Sequence, residues 1–206
     1  MPISCLRHLG HIRTVRKSAM DERQKMNARE LQPVTTLIDP QAGNVEPLPW
    51  EEARRRIEAA RWYWLTTLHP SGRPHTRPVL AVWADGALCT TTSRTAQKGR
   101  NLARDARCSV AIMAEDLHIV IEGTAAPVGT RAQLDRVAEA YRAKYDWPVT
   151  VVDGGFEAPY AAPAAGPAPY EPYQVTPALA YGLCTAGTIG PRHTRWRFRS
   201  AQPSRP

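Results

Sequence analysis

Thr92, Ser93 and Thr95 place hydroxyls around Arg94, just ahead of Gln97 and Lys98, in the segment TTTSRTAQKGRNL, residues 90–102. The first turn of a helix leaves N–H groups unpaired and carries partial positive charge, so an anion is favoured there. With a helix expected from about Gln97 to Arg104, Lys98 adds a point charge near that end and Arg94 adds a fork of donors. These residue types in this order describe a phosphate cradle. A polar loop capping a solvated helix has the same composition, and taken alone the segment fits that account slightly better. Arg77 stands on the extended run HTRPVLAVW, where Pro78 cannot donate to a ladder and so marks an edge or a mouth. A planar ring could lie against such a strand and use its main-chain groups, although a surface strand residue is the simpler account of Arg77.

Elements that could position these residues are legible on both sides. A helix is expected to begin near Pro49, with Glu51 and Glu52 at its positive end and Trp50, Ala53, Ile57 and Ala60 along one face. The period then changes. WYWLTTL (62–68), HTRPVLAVW (75–83) and ALCTTT (87–92) read as an antiparallel meander, with Asp85-Gly86 as the hairpin turn of the last pair. CSVAIM (108–113) and LHIVIEGTAAPV (117–128) follow as strands. Thr130 then caps a helix carrying Leu134, Val137, Ala138 and Tyr141 on its apolar stripe. Residues 157–173, rich in proline and alanine, read as an irregular loop before two final strands, 176–185 and 194–198. Residues 1–46 read as a flexible N-terminal arm within which Met20 and Met26 offer alternative starts, and residues 200–206 as a tail. Six or seven short strands in sequence-adjacent hairpins favour a small antiparallel barrel over a doubly wound sheet. No GxGxxG or GxxxxGK[ST] loop is present.

Bulk composition narrows the class without deciding the function. A length of 206 residues and a hydrophobic content of 43% suit one domain with a proper core. No apolar run is long enough to span a bilayer, and the basic start lacks the apolar stretch of a secretory leader, so a cytoplasmic protein is expected. Cys5, Cys89, Cys108 and Cys184 never approach a CxxC spacing, which argues against a disulfide framework or a zinc site and leaves no metal expected. The net charge of +8 suits a phosphorylated or polyanionic ligand as well as a nucleic acid. Aromatic and basic residues are not interleaved on one platform, however, so a nucleic-acid partner is not expected.

The ordered series WYWLTTLHPSGRPHTRPV, DGALCTTTSRTAQKGRNLARDARCSVAI, IEGTAAPV, YRAKYDW and TRWRF resembles the pyridoxamine 5'-phosphate oxidase-like superfamily over about residues 47–199. Within it, the series is most similar to the branch of flavin/deazaflavin-dependent oxidoreductases. That resemblance implies a mainly β fold with inserted helices, a six-stranded antiparallel split β-barrel of the FMN-binding type. It implies a homodimer with the cofactor in a groove between subunits and no membrane association. It carries Lys98 over as the ligand of the cofactor phosphate, with Thr92, Ser93 and Gln97 in neighbouring contacts. Arg77 and the backbone of Pro78, Val79 and Leu80 take the strand position beside the ring. One departure matters: Arg192-His193 lacks the Arg-x-His spacing of true pyridoxamine 5'-phosphate oxidases, so vitamin B6 synthesis is not expected.

FMN and the deazaflavin coenzyme F-420 are both implied as cofactors. The YRAKYDW helix and TRWRF ending are closer to the deazaflavin branch, and the basic surplus suits a phosphate with an oligoglutamate tail. The expected activity is hydride transfer between reduced F-420 and a small unsaturated organic substrate. The alternatives are an FMN-dependent oxidoreductase and a non-catalytic flavin- or haem-binding protein. A haem needs an axial ligand, and His8-x-x-His11 is the one pair that stands out. Such redox chemistry does not demand a catalytic triad. Tyr63, His75 and His118 are the candidates for a proton donor, and Trp62, Trp64, Trp83 and Trp196 for an aromatic pocket, although packing roles suit each of them better.

Overall fold

The computed structural model describes residues 32–39, 43–161, 165–185 and 190–199. The His8-x-x-His11 pair lies outside them. Eleven strands form one antiparallel system with three helices among the described residues. In chain order these are β1 (Val34–Leu37), α1 (Trp50–Ala59), β2 (Tyr63–Leu68), β3 (Pro74–Val79), β4 (Ala81–Ala84) and β5 (Ala87–Ser93). Then come α2 (Gln97–Arg104), β6 (Arg107–Met113), β7 (Leu117–Pro127) and α3 (Arg131–Tyr145). The short β8 (Thr150–Val152) and β9 (Gly155–Glu157), the long β10 (Tyr170–Cys184) and β11 (Thr194–Arg197) complete the list.

Six strand courses make the barrel. β2 pairs with β6, β6 with β7, β7 with β10 and β10 with β5, while β3 closes on β2 and β4 closes on β5. The barrel is split between β3 and β4. Tyr63–Val79 is the last pair of one ladder and Ala81–Thr90 the first of the other, so the chain changes partners across Leu80. The Leu80 carbonyl, which has no place in either ladder, accepts the hydroxyls of Thr90 (3.0 Å) and Tyr141 (3.1 Å) instead. A buried carbonyl needs such partners. The count of eleven strands, rather than the expected six, has two sources. One barrel course is broken at this seam, and β1, β8, β9 and β11 are added at the margins.

Alternation assigns the faces. On β2, β6, β7, β10 and β11 the inward row Leu65, Val110, Ile121, Ala180 and Trp196 is buried. Helix α1 covers this core with Ala53 and Ile57, and Trp50 meets Trp196 and Phe198 edge to face. A second cluster joins β4 and β5 to α3 through Val82, Cys89, Val137, Tyr141 and Phe156. Two expectations need correction. The stretch 157–173 is not wholly irregular, because β10 begins at Tyr170; Pro172 fits since β7 pairing starts only at Tyr173. Residues 34–37, expected in a peripheral arm, form β1 against β11.

Candidate functional site

The seam of the barrel opens into a cavity of about 230 Å³. One wall is the chain at the split itself, Pro78, Val79 and Leu80. The opposite wall is aromatic, made of Trp62, Tyr145, Trp147 and Tyr160. Thr91 and Lys98 supply polar groups, and Ala161 and Ala165 complete the lining.

Each wall is held by identifiable bonds. Helix α3 starts with a capping box between Thr130 and Gln133 and ends at Asp146, whose left-handed backbone (φ 52°) turns the chain so that Trp147 folds back. Trp147 Nε1 donates to the Tyr160 carbonyl (2.7 Å), and the Tyr160 hydroxyl donates to the Asp146 carbonyl (3.1 Å). Tyr145 is fixed by its hydroxyl on the Ala81 carbonyl (2.9 Å), just beyond the seam. Behind it, Lys144 Nζ donates to the Glu58 carbonyl (2.8 Å), the Tyr63 hydroxyl (2.7 Å) and the Ala81 carbonyl (3.2 Å). Burial brings the Lys144 ammonium down to a pKa of about 8.

Helix α2 brings Lys98 to the cavity because its first turn presses on the preceding strand. Gly99 lies against Ser93 O so closely that a Cβ there would collide with it. Asn101 Nδ2 donates to the buried Thr67 hydroxyl (2.9 Å) and anchors the helix on β2. Lys98 is 4% exposed. Burial first, then the Arg77 charge, lower its pKa from the ordinary lysine value.

The sequence-derived residues therefore divide. Pro78, Val79, Leu80 and Lys98 meet at the cavity, whereas Arg77 is exposed next to it with its guanidinium on the Thr76 carbonyl (2.8 Å). Thr92 points the other way from Thr91, and its hydroxyl donates to the Ser93 carbonyl (3.3 Å). Ser93 forms a local turn, its hydroxyl 3.0 Å from that of Thr95. Gln97 bridges Asn101 (2.8 Å) and Arg100 (2.7 Å). Arg94 is engaged elsewhere: Glu171, 6% exposed, takes its Nε (3.0 Å) and NH2 (2.6 Å) together with the Tyr173 hydroxyl.

Of the candidate proton donors, none lines the cavity. Tyr63 is fully buried with its hydroxyl on the Ile57 carbonyl (2.5 Å), and His118 sits on the outer sheet face beside Met113 and Leu183. Of the four tryptophans only Trp62 lines it; Trp196 is a core residue whose Nε1 donates to the Leu48 carbonyl (2.9 Å). Tyr145, Trp147 and Tyr160 carry no local signal of a site, although the first two lie in the YRAKYDW motif.

Residues 49–169, more than half of the chain, match the sequence profile of the pyridoxamine 5'-phosphate oxidase family. The chain belongs to this family. The family's split barrel is the architecture observed, and its members include flavin-binding oxidoreductases. Solved structures with similar chains include a heme-binding protein from Mycobacterium smegmatis (21% identity, TM-score 0.49, covering 70% of this chain and 60% of that one). A conserved hypothetical protein from Mycobacterium tuberculosis matches at 20% identity and TM-score 0.49, covering 74% of this chain and 86% of its own. PhzG from Burkholderia lata, in complex with tetrahydrophenazine-1-carboxylic acid, matches at 15% identity and TM-score 0.48, covering 80% and 94%. No curated protein matches the sequence. Among the described residues no helix is long and apolar enough to cross a membrane, and no group of three or more His, Cys, Asp or Glu is placed to hold a metal ion.

Proposed function

We propose that this family member is an oxidoreductase that transfers hydride between coenzyme F-420 and a small unsaturated organic substrate, with FMN as the alternative cofactor. The observation that carries the proposal is the pairing, in one cavity, of the nearly buried Lys98 ammonium with a flat aromatic and main-chain slot at the barrel seam. A phosphorylated tricyclic cofactor asks for both. Lys98 would hold the phosphate, with Arg77 beside it, and Ser93 and Thr92 would shape the turn that presents them. Pro78, Val79 and Leu80 would flank the ring. When bound, the cofactor supplies the hydride. Trp62, Tyr145, Trp147 and Tyr160 would exclude water and stack on planar groups. The described lining contains no His, Cys or Met, and the two lining tyrosines, Tyr145 and Tyr160, have their hydroxyls on the Ala81 and Asp146 carbonyls, which does not favour a haem there.

A second copy of the chain belongs to the same proposal. On the outer face of the sheet, Pro78, Trp64, Ala111, Val120 and Tyr181 stand in one cross-strand row, with Met113 and Leu183 alongside. Trp64 is 45% exposed, Met113 71% and Leu183 42%. An apolar row of this kind fits a self-complementary dimer contact. Pro78 belongs to both this row and the cavity, which supports a cofactor groove bordered by the partner subunit.

The test is titration of cofactor-free protein with FMN and with F-420, followed by cofactor fluorescence, alongside Lys98→Ala. A charge-assisted hydrogen bond to phosphate contributes about 1.5–3 kcal/mol, so the variant should bind roughly 10- to 150-fold more weakly. Failure of both cofactors to bind the wild type would overturn the proposal.

A further inference from the structure

His75 stands beside this site without a role in it. Strand register puts His75 opposite Thr67 and Arg77 opposite Leu65, so both side chains leave β3 on the side of β2 where α2 packs. The His75 ring is half-buried, and its Nδ1 is enclosed without a hydrogen-bond partner. Such an atom is costly unless something supplies the missing bond. Burial, then Arg77 of the same strand, Lys98 of α2, and Arg73 and His69 of the segment before β3, hold the imidazole below its ordinary pKa. Arg104 closes the same corner by donating to the Leu68 and His69 carbonyls (both 3.1 Å). A neutral imidazole is thus ringed by positive charge, with one buried nitrogen unsatisfied.

We infer that His75 is a further anion-binding group at the Lys98 end of the cavity, which takes up one proton from solvent when a phosphate dianion docks beside Lys98 and Arg77. The inference rests on the proposed phosphate position, but it concerns phosphate chemistry alone and not the ring or the redox reaction. An incoming dianion reverses the local field, so the imidazolium becomes the favoured form and can donate to a phosphate oxygen. Linkage then fixes the sign. In the free protein the imidazole holds its proton only below its ordinary titration range. In the complex it keeps its proton to higher pH, so affinity rises as pH falls between the bound and free values. Each unit by which the anion raises the imidazole pKa changes affinity about tenfold across that window.

Two measurements test this. The His75 imidazole is titrated by NMR in the wild type with and without saturating inorganic phosphate, and again with FMN. Binding constants for FMN are then compared between wild type and His75→Gln from about pH 5.5 to 8; taking the ratio removes the ligand's own ionisation. A rise of one pKa unit or more, with a wild-type advantage that grows roughly tenfold per unit towards low pH, is the expected result. An unchanged His75 titration in the presence of phosphate and FMN overturns the inference, as does a His75→Gln variant that follows the wild-type profile. If that variant fails to fold, the wild-type titration decides alone. Phosphate shifting His75 while neither cofactor binds would leave this inference standing and remove the cofactor proposal. Tight FMN binding without a shift would do the reverse.

Discussion

Replacing Gly99 by alanine tests whether the position of Lys98 depends on a backbone contact. A Cβ at Gly99 would meet Ser93 O far inside contact distance, with Arg94 Cα at 3.1 Å and Ser93 C at 3.2 Å. All three are main-chain atoms, and that main chain is pinned: Ser93 N–H donates to Ala165 O (3.1 Å) and Ala96 N–H to Ser93 O (3.2 Å). Ordinary contact begins at 3.4 Å, so the first turn of α2 must retreat by about 1 Å. Overpacking of this kind costs roughly 1–3 kcal/mol, and alanine returns about 1 kcal/mol through its better helix propensity. The net loss of up to about 2 kcal/mol corresponds to a Tm lower by up to roughly 8 °C for a domain of this size. Gly129→Ala is the control, since nothing lies within 4 Å of its Cβ. Thermal unfolding by circular dichroism reads stability, and phosphate or FMN titration reads the position of Lys98. A Gly99→Ala protein that melts with the wild type and binds equally well would refute the reasoning.

Three further outcomes are expected. In the folded protein Lys144 loses its proton near pH 8, while the unfolded chain keeps it to about 10.5. The unfolded state therefore binds more protons in that window, so wild-type stability should rise with pH relative to Lys144→Met, as urea midpoints at several pH values will show; a falling difference would contradict the assignment. Trp64→Glu and Met113→Glu place charges on the apolar outer row and should yield monomers at concentrations where the proposed wild-type dimer forms, read by sedimentation or light scattering; a wild type that is itself monomeric would refute the dimer. Trp62→Ala, which removes an exposed wall of the cavity, should weaken cofactor or substrate binding by roughly tenfold with Tm nearly unchanged; a large drop in Tm would reassign Trp62 to packing.

Local rules made much of the fold legible. Asp85-Gly86 is a two-residue turn with both residues at positive φ (52° and 77°), the conformation that an Asp-Gly pair between two β runs announces. Thr130 caps α3 as expected, and the structure adds Gln133 in a reciprocal capping box. Where tertiary partners decide, the sequence was silent. Tyr170–Tyr173 join β10 despite Pro172, because Pro172 itself pairs only with Thr91 of β5 and its carbonyl takes Val128 N–H (2.9 Å) just past the end of β7. Arg94 has the local look of a phosphate ligand, yet Glu171, 77 positions away, holds it. The cavity wall draws on Trp62, Tyr145, Trp147 and Tyr160, whose meeting no local periodicity encodes.

The long strand β10 has a consequence for the order in which the molecule can assemble. It pairs with β5, β7, β9 and β11, and it contributes Tyr170 to one hydrophobic cluster and Tyr173, Val175 and Ala180 to the other. During synthesis, β2 to β7 and α3 all leave the ribosome before the strand that joins them. The cluster around α3 lacks its last member until Tyr170 has emerged, and the barrel core waits for Ala180 and then for Trp196 and Phe198. Such distant pairing delays folding, because loop closure is opposed by entropy before contacts reward it. The nascent barrel must therefore carry exposed strand edges until β10 has emerged.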